Sequence, residues 1–178
     1  MKDRRHFLPK LASMALLVAA ESSLGNDIDP RLFTNIPVGT NILGVSYTRS
    51  EGSVAVDPSV ALDVEAELDT FVMSYVHAFG LLGKSATISA ALPYAELTLT
   101  GVVDGRSTSV SGGAMADPTF RLAVNVAGAP ALTREAFASY RQKTIVGLNV
   151  EITAPLGDYD PEKVINFGAN RWSIAPEI

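Results

Sequence analysis

Asp63, Glu65, Glu67 and Asp69 occupy alternate positions, so in an extended chain their carboxylates leave one face at intervals of about 6.8 Å. Calcium requires oxygens at about 2.3–2.6 Å, so the stripe alone holds no metal, and none is expected. The same face runs on through Phe71, Met73, Tyr75, His77 and Phe79. It reads either as an acidic outer mouth above an aromatic-lined lumen, or as a solvated strand extension followed by lipid-facing aromatics. If residues 1–20 are a cleaved leader, His77 is the one histidine left for acid–base work. Ser74 then faces away from it, and Asp69 is about 27 Å distant along an extended strand. No local triad exists, and the G-x-S-x-G, H-E-x-x-H and phosphate-loop patterns are absent. A barrel hydrolase would need partners from other strands, so the expectation is no enzyme, no catalytic residue and no cofactor. Asp158, Asp160 and Glu162 lack the glycine and ligand register of a calcium loop and read as a solvated loop.

A second group of polar residues is defined by alternation. In 119–126, Phe120, Leu122, Val124 and Val126 share one face, and Thr119, Arg121, Ala123 and Asn125 the other. In 144–153, Val146, Leu148, Val150 and Ile152 oppose Gly147, Asn149, Glu151 and Thr153. An uncharged apolar face backed by small and polar groups suits a membrane strand with lipid outside and water or solute inside. An antiparallel sheet resting on a soluble core gives the same pattern. Titratable groups facing lipid are costly. The candidate lumen set is therefore Tyr75, His77, Arg121, Asn125, Asn149 and Glu151, and the candidate acidic mouth is Asp63, Glu65, Glu67 and Asp69.

These residues must be positioned by strands. Candidates lie near 40–49, 64–80, 84–101, 117–127, 143–154 and 171 to the end, separated by stretches rich in Gly, Pro, Ser and Asp. Two exceed the usual 5–6 residues of a globular strand, whereas a tilted strand needs about 9–11 residues to cross the hydrocarbon. Connections also alternate: 50–63, 102–116 and 155–170 are long, 81–84 is tight, and 128–142 is intermediate, with Thr133 capping one short helix over 133–138. Outer-membrane barrels place short turns on the periplasmic side and long loops outside. Pro93 breaks the third strand, and the apolar phase changes after it, which predicts a bulge or the point where the strand leaves the membrane. Tyr47, Tyr75, Phe79, Tyr94 and Trp172 are candidates for interfacial girdles.

Composition agrees with an envelope protein. The 178 residues contain no cysteine, so disulfides and cysteine zinc sites are excluded. The first twenty residues hold four of the 14 basic side chains and one of the 19 acidic ones, leaving the rest at net −8 and making nucleic acid an unsuitable partner. A basic start, the uncharged run Leu11–Ala20 and small residues before Glu21 form a secretory signal over 1–20, an alternative being a short buried helix. Residues 21–39 form an irregular lead-in, and 40–178 the barrel portion. The stretches without Asp, Glu, Lys or Arg, 70–83 and the longer 32–48 of 17 residues, both fall short of the ~18 residues of a membrane helix. The fold class expected is all-β, an antiparallel transmembrane β-barrel of about six strands, incomplete because single-chain barrels begin at eight.

Three segments carry a resemblance: Asp29-Pro30-Arg31-Leu32-Phe33-Thr34-Asn35-Ile36-Pro37-Val38-Gly39-Thr40-Asn41, the stretch from Ser111 to Leu122 (SGGAMADPTFRL), and Thr153-Ala154-Pro155-Leu156-Gly157-Asp158-Tyr159-Asp160. Together they resemble the MetA-pathway phenol-degradation family of outer-membrane proteins. That resemblance implies a transporter-type barrel of the bacterial outer membrane, longer than this chain, and passive uptake of hydrophobic or aromatic compounds. It brings no catalytic residue. Implied partners are outer-membrane lipid, a small hydrophobic or aromatic solute and the barrel-assembly machinery. The alternative function is a soluble periplasmic β-sandwich serving as a lipid-binding or interaction module.

Overall fold

The computed structural model describes residues 32–57, 60–103, 106–163 and 165–178, and the backbone alone of 54–57, 60–63 and 103. The expected signal over 1–20 and most of the lead-in lie outside the described residues. Seven strands form one antiparallel sheet: β1 (Asn41–Asp57), β2 (Val60–Leu81), β3 (Lys84–Val103), β4 (Arg106–Met115), β5 (Thr119–Ala127), β6 (Val146–Thr153) and β7 (Ser173–Glu177). A single helical turn, α1 (Arg134–Phe137), lies between β5 and β6, its first turn capped by Thr133 Oγ1 accepting from the Ala136 N–H at 3.4 Å. The order is β1-β2-β3-β5-β6-β7, with β4 also pairing β3. β1 and β7 stand at the two edges, and the sheet is open.

Six staves are correct, but two expected loops are strand. β1 and β2 stay in register from Asn41↔His77 to Ala55↔Asp63, so most of 50–63 is hairpin. Likewise 102–116 is mainly β4, paired with β3 from Tyr94↔Met115 to Val103↔Arg106. The Ser, Thr and Gly content of these stretches imitated loop composition. In place they alternate like any strand: Thr108, Val110 and Gly112 pair with the inward residues Gly101, Leu99 and Leu97. β4 and β5 occupy one stave, interrupted by Ala116-Asp117-Pro118.

The expected tight turn is real. Leu82 and Gly83 both have positive φ, +50° and +75°, the requirement of a two-residue type I′ hairpin whose twist matches its strands. Pro93 makes no bulge, because the β2–β3 register passes through Val72↔Pro93 without a shift. Instead β3 changes neighbour there, pairing β5 as far as Ala91↔Thr119 and β4 from Tyr94↔Met115. The missing N–H falls in that gap, while its carbonyl accepts from the Ala116 N–H at 2.9 Å.

Pro93 also marks where the apolar side of the wall changes. Ile88 and Leu92 are exposed on the outer face, whereas Leu97 and Leu99 are buried on the inner one. β2 inverts at the same level, from outward Phe71, Met73 and Tyr75 to inward Val64, Ala66 and Leu68. Below this level the outer face is an apolar band; above it, β1 to β4 continue as an extension with a small inner core. Val64, Leu97, Leu99 and Ile165 form that core, joined by Val110 and Phe167.

Candidate functional site

The inner face of the lower wall is small and polar. Arg121 and Glu151 are cross-strand partners, and Arg121 donates through Nε at 3.0 Å and through Nη2 to the same Glu151 oxygen. Asn125 and Asn149 are buried, Asn149 at 1% exposure. Asn149 Nδ2 donates to Glu177 on β7 at 2.9 Å, and its Oδ1 is left without a partner. These four members of the expected lumen set lie on one surface, as alternation predicted.

Tyr75 and His77 do not join them. The register His77↔Ile88↔Leu122 fixes both side chains on the outer face with the apolar residues, because directly paired residues share a side. His77 need not face inward to be satisfied. Its Nδ1 lies 2.8 Å from Asn41 Oδ1, which also accepts from the Tyr75 hydroxyl at 2.7 Å, and its ring stacks on Phe79 at 6.2 Å. This cluster sits near the tight-turn end of the band.

The acidic mouth is corrected in the same way. Glu65, Glu67 and Asp69 pair with Ser53, Glu51 and Arg49 on the outer face of the extension, and Asp63 pairs with Ala55, its side chain outside the described residues. Arg49 bridges Glu51 at 2.6 Å, Glu67 at 3.2 Å and Asp69 at 3.6 Å. The stripe is thus an ion-paired outer rim. Tyr47 and Tyr94 sit at this rim, their hydroxyls donating to Asp69 at 2.5 Å and Glu96 at 3.2 Å. Between the two rims the outward residues of the described strands are uncharged.

Two inward structures escaped the reading of alternation. Phe33 lies against Gly147, where an added Cβ would meet its ring carbon at 2.0 Å, so only glycine admits it. From there the lead-in crosses the sheet end: Asn35 Nδ2 donates to the Pro130 carbonyl at 3.3 Å, the Val38 N–H to Leu132 at 2.8 Å, and the Gly39 N–H to Ala78 at 2.8 Å. The second structure is the β6–β7 connection. Asp117 receives the Gly157 N–H at 2.8 Å on one carboxylate oxygen and the Ala169 N–H at 2.7 Å on the other. The Asp158 N–H donates back to Met115, and its carbonyl accepts from Phe167 and Gly168. This clamp sets Ile165 and Phe167 on the inner face of β2, β3 and β4.

Asp158 and Asp160 are engaged within their own loop. Asp160 Oδ1 accepts from the Glu162 N–H at 2.9 Å, and Asp158 accepts from Lys163 Nζ at 2.8 Å, which raises the Lys163 pKa. Among the described residues no group of three metal-ligating side chains converges. The signals for both inward structures were present in the quoted motifs, since Phe33, Asp117, Gly157 and Asp158 belong to them.

An open antiparallel wall with an apolar outside, a polar inside and inward-folded connections defines a β-barrel-type class. The family model described as "Putative MetA-pathway of phenol degradation" matches residues 36–178, and the chain belongs to that family. No curated protein and no solved structure matches it.

Proposed function

We propose that this chain forms part of the wall of an outer-membrane β-barrel through which hydrophobic or aromatic small molecules enter passively, with the secretory signal directing export. The observation that carries this reading is the inversion of apolar residues at the level of Asp69 and Glu96. Below it the exposed side is apolar and the covered side polar, the reverse of a soluble sheet. Phe79 and Asp69 are ten residues apart, about 34 Å of strand, which at a tilt near 40° is close to the ~25 Å height of a barrel's apolar band. A soluble sandwich would have to bury that band against a second sheet, and among the described residues none covers it.

The inside suits an uncoupled route for a poorly soluble solute. Beyond the small buried core of Leu97, Leu99 and Ile165, the inner face carries the polar Arg121–Glu151 and Asn149–Glu177 pairs. The family name supports an aromatic cargo. In lipid the unpaired edges of β1 and β7 would require strand partners.

The test uses cells that export the protein with its own leader. The protein should resist carbonate extraction, and cells should take up a neutral monocyclic phenol faster than cells lacking it. Release into the soluble periplasmic fraction would refute the membrane assignment; membrane retention without faster uptake would refute the solute route alone.

A further inference from the structure

The tight-turn end of the sheet carries a basic cleft that no part of the proposed route uses. Lys84 opens β3 directly opposite Leu81, on the face of the apolar band. The β5–β6 connection lies against this turn: Lys84 bridges to Pro130, the Ser85 N–H donates to Ala129 at 3.1 Å, and the Ala131 N–H donates to Gly83 at 3.1 Å. The Tyr140 hydroxyl then donates to the Gly128 carbonyl at 2.6 Å, holding the returning chain beside the turn. Between them is an open cleft of about 540 Å³ lined by Lys84, Arg141 and Lys143 with Ser139 and Tyr140. None of the three cations takes part in a salt bridge among the described residues, and no carboxylate lines the cleft.

Placement and charge identify an occupant. A cationic cleft at the edge of an apolar band lies at headgroup depth, where lysine and arginine meet lipid phosphates. The other edge of the band carries Glu51, Glu67 and Asp69 around Arg49, with Glu96 opposite Asp69, so the positive potential belongs to one leaflet only. We infer that Lys84, Arg141 and Lys143 bind the phosphate headgroup of an anionic phospholipid in the inner, periplasmic leaflet, anchoring the barrel wall at that depth. This rests on the membrane reading above.

The test exploits the absence of cysteine. A single Ser139→Cys change carries a fluorophore at the cleft, and a separate Val150→Cys change carries one on the apolar band. The full-length protein is refolded into phosphatidylcholine vesicles containing a small fraction of brominated phosphatidylglycerol or brominated phosphatidylcholine. Quenching at 139 should favour phosphatidylglycerol by about fivefold or more, the worth of one cation at an anionic surface. Replacing Lys84, Arg141 and Lys143 by Gln together should abolish the preference, leaving quenching at 150 unchanged. Equal quenching at 139 by both lipids, with 150 quenched, refutes the headgroup site alone. No quenching at either position refutes the membrane reading with it. Loss of the preference on adding inorganic phosphate at constant ionic strength would assign the cleft to a free anion and overturn the lipid assignment.

Discussion

Asp117 is a small side chain with a long reach, since its two oxygens hold backbone on both sides of the β6–β7 connection, at Gly157 and Ala169. Hydrogen bonds to a charged acceptor are each worth about 1.5–3 kcal/mol, so Asp117→Ala should loosen the connection by about 2 kcal/mol or more. Trypsin cutting at Lys163, which lies on the clamped segment, reports this directly: about thirtyfold faster cleavage of the folded protein is expected. Asp117→Asn, which turns one acceptor into a donor, should give an intermediate rate. An unchanged rate in both variants would mean that packing of Ile165 and Phe167 holds the segment alone. The Lys163–Asp158 pair adds a pH dependence. A lysine pKa raised on folding stabilises fully below the unfolded value, about 10.4, and loses that contribution as pH rises through the folded one. Protection of a backbone site in 155–170 should therefore be flat from neutral pH to about 9 and decline above about 10.5. A decline near neutrality would point to a different group.

At the scale of elements, the readable part was alternation and the unreadable part was pairing. β5 and β6 were legible because Leu122, Val124, Leu148 and Val150 alternate with polar groups without interruption, and Arg121, Asn125, Asn149 and Glu151 followed. β4 was not, because a strand whose two faces are serine and small residues has no apolar period to read; its partner β3 and the inward Ile165 and Phe167 hold it in place. The face of β2 was misjudged for a related reason. Acidic, aromatic and histidine side chains share one side of β2, and only its register against Ile88 and Leu122 decides that the side is outward. Alternation does not show the lead-in packing either, because Phe33 and Gly147 are 114 residues apart in sequence. Gly147→Val should cost about 1–3 kcal/mol by displacing Phe33. Adding Phe33→Ala should recover part of that loss, a non-additivity readable in urea unfolding of the refolded protein. Additive losses would place the strain of Gly147→Val elsewhere on β6.

At the scale of the whole molecule, the decisive contrast is between neighbours in sequence that face opposite sides of the sheet. The band from Leu43 and Val45 on β1 to Ile174 on β7 crosses the described wall, and its members are partly to largely exposed, Val45 at 78%. Leu122→Arg should therefore cost about 2–4 kcal/mol in a bilayer if it lies near the midplane. Two ends follow from the hairpins. The turns of β1–β2 and β3–β4 and the connection 154–172 share one end, and Leu82-Gly83 with 128–145 share the other. If short turns are periplasmic, a tag inserted after Glu162 should be reached by antibody on intact cells and one after Gly83 should not. The reverse pattern would move the basic cleft to the outer leaflet. Facing is tested independently of orientation by spin labels at Val150 and Asn149. If the band meets acyl chains, as proposed, the label at 150 should be open to oxygen and shielded from a polar relaxation agent. At 149 the polar agent should gain relative to oxygen, since that side chain belongs to the inner surface with Arg121 and Glu151. Protection of 150 from both agents would describe a dry protein core, and the apolar band would then be the inside of a soluble sandwich.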